Sequence, residues 1–181
     1  MKLFEEKIES TPIYEGKILG LRKDKVRLED NSESFREVIS HNGGACVAAL
    51  DDDDNILLVR QFRYPFNDII TEIPAGKLEK GEDPKECAIR ELLEETGYEA
   101  GRVISLGQIL PTPAYDEEVT HIFYADMLKK KEAHLDEGEF LECLKIPFDD
   151  AVKMVLNGKI RDAKTVCGIL KAQVLRSLNR I

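Results

Sequence analysis

GKLEKGEDPKECAIRELLEETGY, residues 76–98, sets Glu82, Arg90, Glu91, Glu94 and Glu95 between Gly76 and Gly97 and carries its own helix punctuation. Asp83 stands as the N-cap, Pro84 as the first helical residue, Glu86 as the capping-box partner and Gly97 as the stop, so the spacing predicts a helix over 84–96. At about 100° per residue, Glu91 and Glu95 lie about 40° apart, with Glu94 about 60° to the other side of Glu91. Three carboxylates share one face. Ala88, Ile89, Leu92 and Leu93 form a stripe roughly opposite, and burying that stripe turns the acids outward. Like charges at these spacings cost a helix a few tenths of a kcal/mol per pair. A hard, oxygen-seeking cation over the cluster, Mg²⁺ first, would offset that cost. The plainer alternative is a solvated acidic face. Arg90 has two compatible readings, a salt bridge to Glu86 or Glu94 and a rigid fork that holds the carboxylates in place.

Around this segment, 181 residues with 43% apolar and 34% charged side chains describe an ordinary globular chain with room for one full core. No window approaches 18 uninterrupted apolar residues, and the acidic start MKLFEEKIES lacks the basic flank and apolar run of a leader. The expectation is therefore a cytoplasmic protein without a membrane partner. Cys46, Cys87, Cys143 and Cys167 are scattered without a C-x-x-C pair, which favours reduced thiols over a zinc site or a disulfide framework. His41, His121 and His134 are isolated too, so nucleophilic serine or cysteine chemistry has no foothold. A net charge of −9 argues against general nucleic-acid binding, which needs a basic surface. It leaves open a small phosphate ester, because metal ions and a few focused arginines can reverse the local sign.

Along the chain, Lys17–Leu28 and Phe35–Ser40 read as extended, joined by a turn at Glu29–Ser32. Ala45–Leu50 reads as a buried strand. The aspartates of Asp51–Asn55 then read as a hairpin turn, since no EF-hand spacing follows. Ile56–Arg63 and Asp68–Ile73 precede the helix; Val103–Leu110, Val119–Met127 and Phe140–Ile146 follow it as strands. Asp149–Asn157 and Ala163–Arg180 are amphipathic and helical. Helical segments are too few and too unevenly spaced for a doubly wound sheet. The pattern predicts an α/β fold, mixed sheets with a helix on each side.

Residues 76–98 match the box G-x5-E-x7-R-E-U-x-E-E-x-G-U, where U is bulky and apolar, with Tyr98 in place of the usual final aliphatic residue. On that box the chain resembles the Nudix hydrolases. LLVRQFRYPF, TEIPAGKLEKGE, LPTPAYDEE, DEGEFLE and DAKTVCGILKAQ extend the resemblance over most of the chain, toward the ADP-ribose pyrophosphatase branch. The family implies an α/β/α sandwich of mixed sheets with an N-terminal antiparallel β extension. It implies a β subdomain over 1–42 that joins two copies, and a hydrolase domain over 43–181. Two or three Mg²⁺ ions, or Mn²⁺ in their place, would be held by Glu91 and Glu95, with Glu94 or Glu82 in support and the Ala75 carbonyl as a further ligand. Arg90 and Glu94 would serve the catalytic cluster. The expected general base is a loop glutamate after the box, and aligning back from Pro147 favours Glu139 over Glu137. Arg63 resembles the arginine that meets the substrate phosphate, with Arg60, Glu72, Pro113 and Glu117 as weaker candidates. Pro113 stands sixteen residues beyond Gly97, as is typical of the branch, but Ala114 replaces the glycine that usually follows it. The implied reaction splits ADP-ribose into AMP and ribose 5-phosphate. Alternatives are hydrolysis of a nucleotide sugar, NADH or a dinucleoside polyphosphate, or a module that binds a nucleotide without cleaving it.

Overall fold

The computed structural model describes residues 3–135, 138 and 140–181. The chain divides into two units, Met1–Gly43 with Leu110–Val119, and Gly44–Ile109 with Thr120–Ile181.

The first unit is an antiparallel meander of β1 (Glu6–Glu15), β2 (Gly20–Arg27) and β3 (Glu33–Ser40). The β2–β3 turn falls where its polar cluster predicts. Asn31 takes a left-handed φ of 67° there, and the Asp30 carboxylate accepts from the Ser32 amide at 2.9 Å. Leu110–Val119 joins this unit through main-chain bonds to β3, Ile39 N–H to Tyr115 O at 2.7 Å and Glu117 N–H to Ile39 O at 3.0 Å.

In the second unit β4 (Gly44–Ala49) runs parallel to β9 (Thr120–Lys130), with β7 (Ala75–Lys77) and β8 (Tyr98–Ile109) antiparallel at the flanks, in the order β7-β4-β9-β8. A second sheet orders β10 (Leu141–Pro147), β5 (Asn55–Arg63) and β6 (Asp68–Glu72). The helices are α1 (Pro84–Thr96), α2 (Phe148–Leu156) and α3 (Ala163–Ser177). Every residue of β4 is buried, and its alternation decides the layers. Ala45, Val47 and Ala49 pack with Cys87, Ala88 and Leu92 of α1. Cys46, Ala48 and Leu50 face the other way, into a cluster with Phe148 and Ala151 of α2 and Ile169 and Ala172 of α3. A mixed sheet between helices is the predicted α/β/α arrangement.

Asp51–Asn55 is a turn. Asp51 Oδ1 accepts from the amides of Asp53 and Asn55 at 3.1 and 2.9 Å, and Asp54 adopts a φ of 62°. No helix among the described residues is long and apolar enough to cross a membrane.

Candidate active site

The loop and helix of residues 76–98 are built as their punctuation requires. Asp83 is extended and its carboxylate accepts from the amides of Lys85 and Glu86 at 2.8 and 3.3 Å, while Gly97, at φ 70°, returns its N–H to Leu93 O at 2.9 Å. Cys87, Ala88 and Leu92 are buried against β4 with Glu95 and Thr96 buried beside them, while Ile89 and Leu93 of the expected stripe are only partly buried, so the acids flank the packed side of α1 instead of standing opposite it. Gly76 lies directly over them. A Cβ at this position would stand 1.6 Å from Glu91 Oε1, so only glycine lets the carboxylate come so near the backbone.

Arg90 gathers the cluster. Its Nε donates to Glu82 Oε1 at 3.0 Å and its Nη2 to Glu82 Oε2 at 3.3 Å, while Nη1 donates to Glu91 Oε1 at 2.7 Å and Glu94 Oε2 at 2.9 Å. Both readings of this arginine therefore hold together, since the fork makes salt bridges and by them fixes the acids. Hydrogen bonds from Arg90 hold the Glu82 carboxyl below the usual carboxylate range, and Glu82 in turn keeps the guanidinium protonated well above its own. Burial beneath this layer pushes the Cys87 thiol up to about 12, leaving it inert. Glu95 is only 6% exposed and its Oε2 accepts from the Ala75 amide at 3.1 Å. The structure thus brings Ala75, Glu82, Glu91, Glu94 and Glu95 to one side of α1.

A cavity of about 520 Å³ is lined by Arg63, Phe66, Ile70, Glu72, Arg161 and Lys164, among others. Glu72, 2% exposed, clasps Arg63 with both oxygens, Nε to Oε1 at 2.7 Å and Nη2 to Oε2 at 2.8 Å. Its Oε2 also accepts from Lys164 Nζ, which lies 3.1 Å from Asp162 Oδ2. Burial works against the ionised Glu72, but Arg63 and Lys164 outweigh it and hold the carboxyl below its ordinary range. Asp162 caps α3, accepting from Thr165 N at 3.0 Å and Thr165 Oγ1 at 2.6 Å. Thr165 Oγ1 in turn accepts from the Ile73 amide at 2.9 Å, tying the start of α3 to the end of β6.

The pattern described as the NUDIX domain matches residues 40–167, well over half of the chain. The chain belongs to the Nudix family. Two full-length relatives agree. A protein of Bacillus methanolicus named methanol dehydrogenase activator is 41% identical over 180 residues, covering 98% of this chain and 97% of its own. One of Bacillus subtilis (strain 168) named ADP-ribose pyrophosphatase is 40% identical over 181 residues, covering 98% of each chain. A crystal structure described as an ADP compounds hydrolase superposes with a TM-score of 0.84 over 98% of this chain and 97% of that one; at 18% identity it shows the shared fold. The Nudix protein is a hydrolase of pyrophosphate bonds.

Nudix pyrophosphatases depend on a divalent metal, and the donor set here suits one. Glu82, Glu91 and Glu94 supply hard oxygen ligands and share a single guanidinium, so their negative charge exceeds what Arg90 neutralises. Among the described residues no three acidic, cysteine or histidine groups already stand in ligand geometry. Arg90 and the Ala75 amide hold the oxygens, and side-chain rotation would bring them to an ion.

The remaining sequence candidates separate. Arg60 lies on the opposite face of β5 from Arg63, half-exposed and paired with Glu142 at 3.2 Å, and does not line the cavity. Pro113 and Glu117 belong to the first unit. Pro113 sits exposed in a turn closed by Asp116 N–H to Thr112 O at 3.0 Å, and Glu117 is clasped by Arg22 at 2.5 and 2.8 Å. Glu137 and Glu139 lie outside the described residues. Lys164 and Asp162 were not singled out as site residues in the sequence. The signal available was the DAKT stretch at a helix start, where an acid, a lysine and a threonine share one turn.

Proposed function

We propose that this Nudix hydrolase cleaves ADP-ribose to AMP and ribose 5-phosphate by attack of water on the diphosphate. The observation that carries the reading is the crowding of Glu82, Glu91 and Glu94 on one guanidinium, with Glu95 alongside at Ala75. The Bacillus subtilis relative named ADP-ribose pyrophosphatase, matched over 98% of each chain, supports the choice of substrate.

Glu91 and Glu95, with Glu94 or Glu82 and the Ala75 carbonyl, would hold two or three Mg²⁺ ions, with Mn²⁺ as a substitute. Bound there, the ions would neutralise charge developing on the diphosphate and acidify the attacking water. Arg90 keeps the carboxylates registered on the helix face. Arg63 meets a phosphate oxygen from the cavity side. Glu139, or failing it Glu137, takes the proton from water, whose oxygen joins one phosphorus as the bridging P–O bond breaks. Glu72 orients Arg63 from the cavity wall, where it too would stand near the substrate. Free Cys46, Cys87, Cys143 and Cys167 suit a reducing cytoplasm. An exposed β1 suits a homodimer, with residues 1–42 as its joining subdomain and 43–181 as the hydrolase domain.

A nucleotide sugar is the second reading, favoured by Ala114 where the branch carries glycine in a loop near the substrate. The test is turnover of ADP-ribose with Mg²⁺ in ¹⁸O water, alongside a nucleotide sugar, NADH and a dinucleoside polyphosphate. The expected result is AMP and ribose 5-phosphate with one ¹⁸O atom between them, abolished by Glu95→Gln. Glu139→Gln should lower kcat with little change in metal affinity; if it behaves like the parent, Glu137 takes the role. Absence of turnover across the panel, with binding retained, would turn the protein into a nucleotide-binding module.

A further inference from the structure

Four charges lie in one chain of contacts on the cavity wall, Arg63, Glu72, Lys164 and Asp162, and their sum is zero. Glu72 occupies only the Nε and Nη2 edge of Arg63. The Nη1 edge has no partner among the described residues, and Arg63 is 41% exposed where it lines the cavity. Lys164 is far less exposed, at 19%, and spends its ammonium on the buried Glu72 and the partly buried Asp162. Keeping a lysine there costs desolvation, and a purely structural ion pair of this kind can often be replaced by an apolar side chain without loss of stability. Its electrostatic consequence is more specific. With Lys164 present, one of the two acidic charges beside Arg63 is offset, and the Nη1 edge of the arginine stays available to an incoming anion. Without it, that chain of contacts carries one net negative charge and Glu72 has Arg63 as its sole cationic partner among the described residues.

We propose that Lys164 is a positioning residue: by bridging Glu72 and Asp162 it holds Arg63 clasped at one edge and open at the other, ready for an anionic oxygen of the substrate. This rests on the reading of the cavity as the place where a diphosphate meets Arg63.

The test uses the full chain with Mg²⁺, steady-state kinetics on ADP-ribose, and calorimetric binding of inorganic pyrophosphate. Lys164→Met should raise KM and weaken pyrophosphate binding by about tenfold while kcat stays within about threefold of the parent. Lys164→Arg should restore both. In an Arg63→Ala background, Lys164→Met should add nothing further, because its effect passes through Arg63. Lys164→Gln stands in if the methionine variant does not fold. Pyrophosphate affinity equal to the parent's, a loss that adds in full to that of Arg63→Ala, or failure of arginine to rescue would each overturn the role. Failure of the parent to turn over ADP-ribose would overturn the substrate assignment alone, since pyrophosphate binding reports on the Lys164–Arg63 coupling without it.

Discussion

Gly76 marks the tightest point of the site, because the Glu91 carboxylate occupies the space where any other residue would put its Cβ. Gly76→Ala would push that carboxylate off the Arg90 fork without touching the core. A misplacement of about 1 Å at a reacting group can cost about a hundredfold in rate. We therefore expect kcat to fall by about that factor, with an unchanged far-UV spectrum and a nearly unchanged melting temperature. Glu72 governs a second property. Its folded carboxyl sits below the ordinary range, so its stabilising contribution is complete above that range and fades as pH falls through the folded value. Lys164 runs the other way. Its folded value is raised, so its contribution is complete below the ordinary lysine range and is lost only as pH climbs through the raised value. Glu72→Gln should accordingly flatten the decline of melting temperature below about pH 4.3, the unperturbed glutamate value. A melting curve as acid-sensitive as the parent's would count against it. The acids of α1 were legible because helical spacing alone aligns Glu91, Glu94 and Glu95. The Arg63–Glu72–Lys164–Asp162 chain was not, because Lys164 reaches the Glu72 that holds Arg63 only once β6 and α3 are tied through Thr165.

At the scale of elements, α1 is the piece whose ends the sequence states outright, an aspartate cap and a left-handed glycine bounding Pro84–Thr96. Asp83→Ala removes a carboxylate that satisfies two amides, and a lost cap of this kind costs about 1 kcal/mol. The expected outcome is a lower melting temperature and a raised metal requirement, both read on the same preparation; Asp83→Ser should recover most of each. The strands with continuous buried runs, β4 and β5 above all, are equally plain in the sequence. β1 is not, because all of its residues are exposed and Pro12 interrupts it, so no apolar pattern distinguishes Glu6–Glu15 from a loop. β7 is hidden for another reason. Its Ala75–Lys77 stretch is short, and its pairing partner β4 lies thirty residues earlier.

At the scale of the whole molecule, β1 presents Ile8, Ile13 and Tyr14 to solvent along an outer strand, with Phe4 exposed just before it. Such an edge favours pairing with another copy. Light scattering at micromolar concentration should give the mass of a dimer, and deletion of residues 1–15 should leave a monomer; a parent that scatters as a monomer would remove the dimer from the account. The assignment of Leu110–Val119 to the N-terminal unit had no sequence signature, since it depends on two main-chain bonds to Ile39 that any side chains would permit and on an Arg22–Glu117 pair far apart in the chain.

The parallel seam between β4 and β9 also fixes an order of events. Gly44 meets Thr120 across the seam, so the chain between them must loop back before β4 and β9 can pair. The hairpin of β8 and β9 and the turn-bounded α1 close over much shorter spans and can assemble first. The seam is then expected to be the late, slow step of self-assembly, and until it zips the apolar β4 keeps one edge unpaired and open to sticking to its own kind.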